Sequence, residues 1–141
     1  MEKEIIERWE RGKENLRNYL STHVIGDNCS SYEESVSILI KECLNYSTDE
    51  EFSTKFTCID DGDYQGTQLF ILHYNTYQPD VNDYYIFDNE YGSCSGCDTL
   101  LSIIGYDYDV IPDENMVNQL MTLCLHMVQR MKCISNLYKL K

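Results

Sequence analysis

The chain has 141 residues, 43% of them hydrophobic, which suits one folded domain over residues 1–141 and is too short for two comfortable cores. A net charge of −13 argues against nucleic-acid binding through a basic surface, and no apolar run reaches the roughly 18 residues of a membrane span. Since the N-terminus also lacks the apolar core of a signal peptide, we expect a cytoplasmic protein. Seven cysteines, an odd number, then favour free thiols or metal ligands over a disulfide framework.

Two helices are predicted in the first third of the chain. Glu2–Leu20 has apolar residues on one side among Glu, Lys and Arg, as in a surface helix with one buried face. Ser30 or Ser31 can cap a second helix, with Glu33 and Glu34 placed favourably in its first turn. The apolar face of that helix would contain Val36, Leu39, Ile40 and Cys43.

Three strand-like segments follow, at Phe52–Ile59, Thr67–Tyr74 and Asp83–Tyr91. Turn residues separate them, so they predict an antiparallel meander. With turns near Gly62 and Pro79, Cys58 would lie opposite about Phe70, and Phe70 opposite about Asp88.

The rest of the chain predicts a short helix over Thr99–Ile104 and a last helix that begins after Pro112. The apolar stripe of the last helix would contain Val117, Leu120, Met121, Cys124, Met127, Val128 and Met131. We therefore expect an α+β fold, with an antiparallel sheet of about three strands packed against N- and C-terminal helices.

A C-x-x-C pair, Cys94 and Cys97, lies on the turn between the third strand and the short helix. Gly92 and Gly96 allow a tight turn that brings both thiols to one side. This spacing suits two ligands of a tetrahedral metal ion, and it equally suits a redox-active dithiol or two buried small residues without chemistry.

A structural zinc site needs two further ligands. His126 stands slightly off the apolar stripe of the last helix, near the edge of the sheet, and is our third candidate ligand. Asp63, in the acidic turn at the same end of the sheet as Cys94, is the fourth. By the same strand pairing, Cys58 and His73 lie too far down the sheet to contribute.

Acidic residues dominate the middle of the chain: between Glu42 and Gln129 there are sixteen Asp and Glu, and the only Lys or Arg is Lys55. Tyrosines are interleaved with many of these acids. Such a surface repels nucleic acid and attracts a basic protein by charge and cation–π contacts, and the alternative is that the acidity only keeps a small protein soluble. We predict partner binding by Asp60, Asp61, Asp83, Asp88, Glu90, Asp107 and Asp109.

Catalytic motifs are absent from the sequence: it has no phosphate-binding Gly-rich loop, G-x-S-x-G elbow or H-E-x-x-H pair. The three aspartates at residues 60–63 do not match an EF-hand spacing. We therefore expect a protein that is not an enzyme.

The segments Gly62–Thr67, Tyr77–Pro79, Tyr91–Leu100 and Leu123–His126 resemble small acidic proteins of Firmicutes phages and mobile elements, over roughly the C-terminal two-thirds of the chain. This chain is also similar to the small acidic phage proteins that inhibit type II-A Cas9 as anti-CRISPRs, some of which contain zinc. The resemblance implies an inhibitor in the bacterial cytoplasm that binds Cas9 and obstructs nucleic-acid loading. The alternatives are a dithiol redox protein using the C-x-x-C turn and a phage assembly component that self-associates.

Overall fold

Helix α1, Lys3–Leu20, buries one face because its apolar side chains recur every three or four residues. This is seen in a computed structural model that describes residues 2–24, 31–62, 66–92, 98–104 and 109–139. Trp9, the only tryptophan, lies in the core.

Helix α2, Tyr32–Leu39, begins where Ser31 accepts a hydrogen bond from the Glu34 backbone N–H. It continues into a π-helical turn, Ile40–Leu44, that packs across α1. The contact is close, since a Cβ atom on Gly12 of α1 would lie 2.0 Å from the Cys43 carbonyl oxygen. Glycine is therefore required where the two segments cross.

The sheet has four antiparallel strands in the order β1, β2, β3, β4: Thr57–Asp60, Gly66–His73, Tyr84–Tyr91 and Lys132–Cys133. Its inner face contributes to the core, with Phe70, Leu72, Tyr85 and Phe87 buried. Cys58 pairs with Phe70, as predicted, whereas Phe70 pairs with Phe87, one residue from the predicted position.

Helix α3, Thr99–Ile104, helix α4, Glu114–Arg130, and helix α5, Ile134–Lys139, complete the described elements. Asp113 caps α4, where it accepts a hydrogen bond from the Met116 backbone N–H. The predicted apolar stripe of α4, from Val117 to Met131, is buried. No helix in the described ranges is long and apolar enough to cross a membrane.

The α+β fold class is confirmed, with four strands where about three were predicted. The additional strand, β4, has two residues and follows α4 after a single residue, which is too short to produce an alternating pattern. The predicted first strand was too long: only Thr57–Asp60 forms a ladder, while Phe52 makes an isolated bridge with Tyr74.

Arg8 of α1 is the largest buried polar side chain, with 1% of its surface exposed. Its guanidinium donates to the Leu44 carbonyl at 2.7 Å, to the Glu50 carbonyl and to the Glu4 carboxylate at 3.0 Å. It also lies over the rings of Phe52 and Tyr74, 5.0 Å and 5.1 Å from their centroids. One side chain thereby joins α1, the π-helical turn, the following loop and the sheet.

We predict that Arg8→Lys lowers the free energy of unfolding by about 2–3 kcal/mol, because an ammonium group cannot donate in the same planar fork. Arg11→Lys is the matched control: Arg11 is exposed and makes one hydrogen bond, to the Tyr46 carbonyl, so its loss should stay within about 0.5 kcal/mol. Urea denaturation of both variants measures the difference. Equal unfolding midpoints for the two variants would contradict the bridging role of Arg8.

Candidate functional site

The β1–β2 turn meets the end of β3 through Tyr91. The Tyr91 hydroxyl lies within hydrogen-bonding distance of the Asp60 carboxylate and 2.7 Å from the Gly62 carbonyl oxygen. The pKa of Asp60 is lowered, chiefly by the hydrogen bond that the Tyr91 hydroxyl donates to its carboxylate and then by the hydrogen bond from the Gly62 backbone N–H. The acidic turn therefore lies at the end of the sheet where β3 leads into the C-x-x-C segment, as the predicted strand pairing required.

Asp98 fixes both ends of the C-x-x-C segment. Its carboxylate, 6% exposed, accepts hydrogen bonds from the Gly92 backbone N–H at 2.9 Å and from the Tyr32 hydroxyl at 2.8 Å. The same hydroxyl accepts a hydrogen bond from the Leu100 backbone N–H at 3.0 Å. Burial raises the pKa of Tyr32, so the phenol stays protonated and continues to donate to Asp98 at neutral pH.

Two buried amides extend this polar end of the core. Gln68 and Asn89 are paired directly across β2 and β3, at inward positions that carry apolar residues farther along the sheet. The Gln68 amide nitrogen lies 3.5 Å from the Asp60 carboxylate, and the Asn89 amide oxygen lies 3.5 Å from the Arg130 guanidinium. The core beside Gly92 and Asp98 therefore contains several buried polar side chains.

The sequence did not predict that the polar side chains of Asp98, Tyr32, Gln68 and Asn89 would be buried together. Asp98 carried a usable signal, since Asp directly before an apolar helical run is typical of a helix N-cap. Tyr32, Gln68 and Asn89 carried none, because their burial depends on which strand and helix positions meet in the fold.

His126 lies on the exposed side of α4, in an open cleft of about 350 Å³ between α4, β3 and the start of α3. Thr99, two residues after Cys97, lines the same cleft. Asp63, Cys94 and Cys97 lie outside the described residues. Within the described ranges, no three His, Cys, Asp or Glu side chains lie close enough together to hold a metal ion.

Two of the described thiols, Cys43 and Cys58, are poorly suited to nucleophilic chemistry. Burial raises the pKa of Cys43 to about 12. Burial also raises the pKa of Cys58, and the negative charges of Glu33 and Asp60 raise it further. Because the thiolate is the reactive form of cysteine, both side chains stay protonated and unreactive at neutral pH.

Five of the predicted partner-binding acids are exposed, and none of them forms an ion pair with a described residue: Asp60, Asp61, Asp88, Glu90 and Asp109.

Asp83 is partly buried, and its carboxylate accepts a hydrogen bond from the Asp80 backbone N–H, so it stabilises the β2–β3 turn. Asp107 lies outside the described residues. Tyr77, on the same turn as Asp80, is 96% exposed. The acidic surface is thus available to a positively charged partner.

In comparisons with known proteins, no family model, curated protein or solved structure matches this chain significantly. Fold and site together define an α+β protein with an acidic sheet end and a carboxylate-anchored C-x-x-C segment.

We predict that Asp98→Asn lowers the free energy of unfolding by about 1–3 kcal/mol, because an amide supplies one acceptor and turns an N–H₂ group toward a buried donor. Asp113→Asn is the control, since Asn caps a helix nearly as well as Asp and this site is exposed. Thermal melting followed by circular dichroism compares the two. Melting of Asp98→Asn within error of Asp113→Asn would refute the anchoring role.

Proposed function

We propose that this chain is a non-enzymatic inhibitor that binds a basic, nucleic-acid-handling protein and obstructs nucleic-acid loading. The observation that carries the proposal is a group of exposed carboxylates that form no ion pair with a described residue: Asp60, Asp61, Asp88, Glu90 and Asp109. A protein that binds nucleic acid presents a positively charged surface to the phosphates, and carboxylates can occupy that surface in their place.

Charge segregation within the chain supports this choice of partner. The described ion pairs, Arg8–Glu4 and Lys13–Glu10, both lie within α1, so the acids of the sheet are not neutralised by them. An unneutralised acidic field accelerates association with a basic surface and opposes binding to nucleic acid or to an anionic membrane.

The particular partner we propose is Cas9, in the cytoplasm of a bacterial host infected by a phage. Support for this partner comes from the resemblance of Tyr91–Leu100 and the neighbouring motifs to small acidic phage proteins. Cas9 also has the required chemistry, because it holds its guide and target strands in a positively charged channel.

The test is binding of purified Cas9, with and without guide RNA, followed by a DNA-cleavage assay. We expect a complex that reduces cleavage, and we expect Asp88→Asn/Glu90→Gln to slow association by about threefold to tenfold and to flatten its salt dependence. Glu7→Gln/Glu14→Gln, on the exposed side of α1, is the matched control and should change association less.

Two results would count against this proposal. Undiminished cleavage with excess protein present would remove Cas9 as the partner. Association with equal rates at low and high ionic strength would remove charge as the basis of recognition.

We further propose that Cys94 and Cys97 bind a structural Zn²⁺, with His126 and Asp63 as the remaining ligands. Two thiolates, an imidazole and a carboxylate are an acceptable tetrahedral donor set for zinc. Two observations support a site here. Asp98 and Tyr32 accept hydrogen bonds from the backbone N–H groups of Gly92 and Leu100, on either side of the cysteine segment. His126 lines the same cleft as Thr99. Bound zinc would stiffen the connection between β3 and α3.

We predict about one equivalent of zinc in protein purified without added metal, and loss of both zinc and thermal stability in Cys94→Ser. Cys58→Ser is the control, because Cys58 lies on β1 opposite Phe70, four residues down β2 from the Gly66–Tyr91 end of the sheet. Elemental analysis and melting with and without a chelator measure both effects. Wild-type protein with less than about a tenth of an equivalent would contradict the zinc site, and rapid disulfide exchange at Cys94 would instead support the dithiol alternative.

A further inference from the structure

The outer face of the sheet carries an apolar patch, which we define as Ile59, Leu69, Ile71 and Ile86. These side chains alternate with the inward-facing residues of β1, β2 and β3, so they point away from the helices. Ile59 is 53% exposed, and the other three are partly exposed. Of the residues that the structure describes, those that pack into the core do not include these four.

The strand register makes the patch continuous. Ile59 pairs with Leu69, and Ile71 pairs with Ile86, so the four side chains form two adjacent rows across three strands. Three neighbouring strands span about 10 Å from first to last, which matches the diameter of an α-helix with its side chains. The patch therefore has the width that one amphipathic helix would cover.

Charges border this patch unevenly. Asp88 pairs with Leu69, and Glu90 pairs with Thr67, so two exposed carboxylates stand on the outer face toward one end of the sheet. Lys132 pairs with Ile86, and the Arg130 guanidinium donates to the Asp88 carbonyl oxygen at 3.0 Å, so both cations stand beyond β3. An occupant that crosses the end of the sheet at Asp88 and Glu90 would meet negative charge there.

A second copy of the chain is the less favourable occupant. Each copy carries a net charge of −13, and stacking two outer faces would bring two acidic surfaces together. A basic occupant instead gains from both features, because apolar burial contributes affinity while opposite charge fixes orientation.

We propose that the outer sheet face is a docking surface for an amphipathic helix of a partner protein, with Lys or Arg flanking its apolar stripe. The basic character of this helix rests on the proposed function, while its shape rests on the patch alone. Recognition would follow the helix-in-groove mode, with apolar anchors at helical spacing.

The test uses two designed helical peptides of about 18 residues, one with a Leu stripe flanked by Lys and one with the same stripe flanked by Glu. Fluorescence anisotropy measures their binding to the wild-type chain and to Ile59→Asp. We expect the Lys peptide to bind, the Glu peptide not to bind, and Ile59→Asp to weaken the Lys peptide about tenfold or more. Ile111→Asp is the matched control, since Ile111 is 51% exposed outside the patch, and it should leave binding unchanged.

A charge reversal gives a second readout. Asp88→Lys should weaken the Lys peptide and improve the Glu peptide, an exchange that loss of folding could not produce. Equal Lys-peptide binding by wild type and Ile59→Asp would overturn the docking surface, as would no binding at all. A wild-type dimer that Ile59→Asp dissociates would assign the face to a second copy and overturn the proposal.

Cas9 binding to the wild-type chain and to Ile59→Asp distinguishes failure of the docking surface from failure of the proposed function. If Cas9 binds and Ile59→Asp does not weaken it, the outer face is not the docking surface, although the inhibitor proposal stands. If Cas9 fails to bind while the Lys peptide binds in an Ile59-dependent way, the docking surface stands and the proposed function fails.

Discussion

The buried guanidinium of Arg8 is the constraint on which the first half of the structure depends. A buried cation costs several kcal/mol unless its hydrogen bonds are satisfied, and here two backbone carbonyls and one carboxylate satisfy them. One carbonyl belongs to Leu44, the last residue of the π-helical turn, and the other to Glu50 in the loop that follows. Arg8 therefore determines where the chain runs between the π-helical turn and β1, and the ring stack of Phe52 on Tyr74 joins that path to the sheet.

A second buried charge, Asp98, has the corresponding role at the other end of β3. Arg8 contacts Tyr74, next to the His73–Tyr84 pair, whereas Asp98 contacts Gly92, next to the Gly66–Tyr91 pair. The two ends of this ladder are roughly 23 Å apart at about 3.3 Å per residue. Between them the core is apolar apart from the buried Gln68–Asn89 pair, so hydrophobic burial supplies most of the stability while the buried charges set the positions of the irregular segments.

Structure that depends on residues close together in the sequence could be predicted from it, whereas contacts between residues far apart in the sequence could not. Local patterns were sufficient for Lys3–Leu20 and Thr99–Ile104, since helical periodicity and capping are contained in a few consecutive residues. Turn positions placed Cys58 opposite Phe70 correctly, and the error of one residue at Phe87 arose in the longer second connection.

The burial of Arg8 could not be predicted in this way. Its partners, Leu44 and Glu50, are distant in sequence and offer backbone carbonyls, which every residue has. In the candidate site, the predicted approach of the acidic turn to the end of β3 was correct, whereas Tyr32 was missed because its partner lies 66 residues away. The zinc ligand set stays a prediction, with His126 its one described member.

Basic and acidic residues occupy different parts of this molecule, and their separation bears on how a partner would bind. Most of the basic residues lie in α1 or after residue 129, while the acids of β3 stand beside the outer apolar patch. Long-range charge would orient an approaching basic surface toward the sheet before any contact forms. Burial of Ile59 and its neighbours would then slow dissociation, because apolar contacts act only at close range. Association rate and complex lifetime would thus depend on different residues of one face.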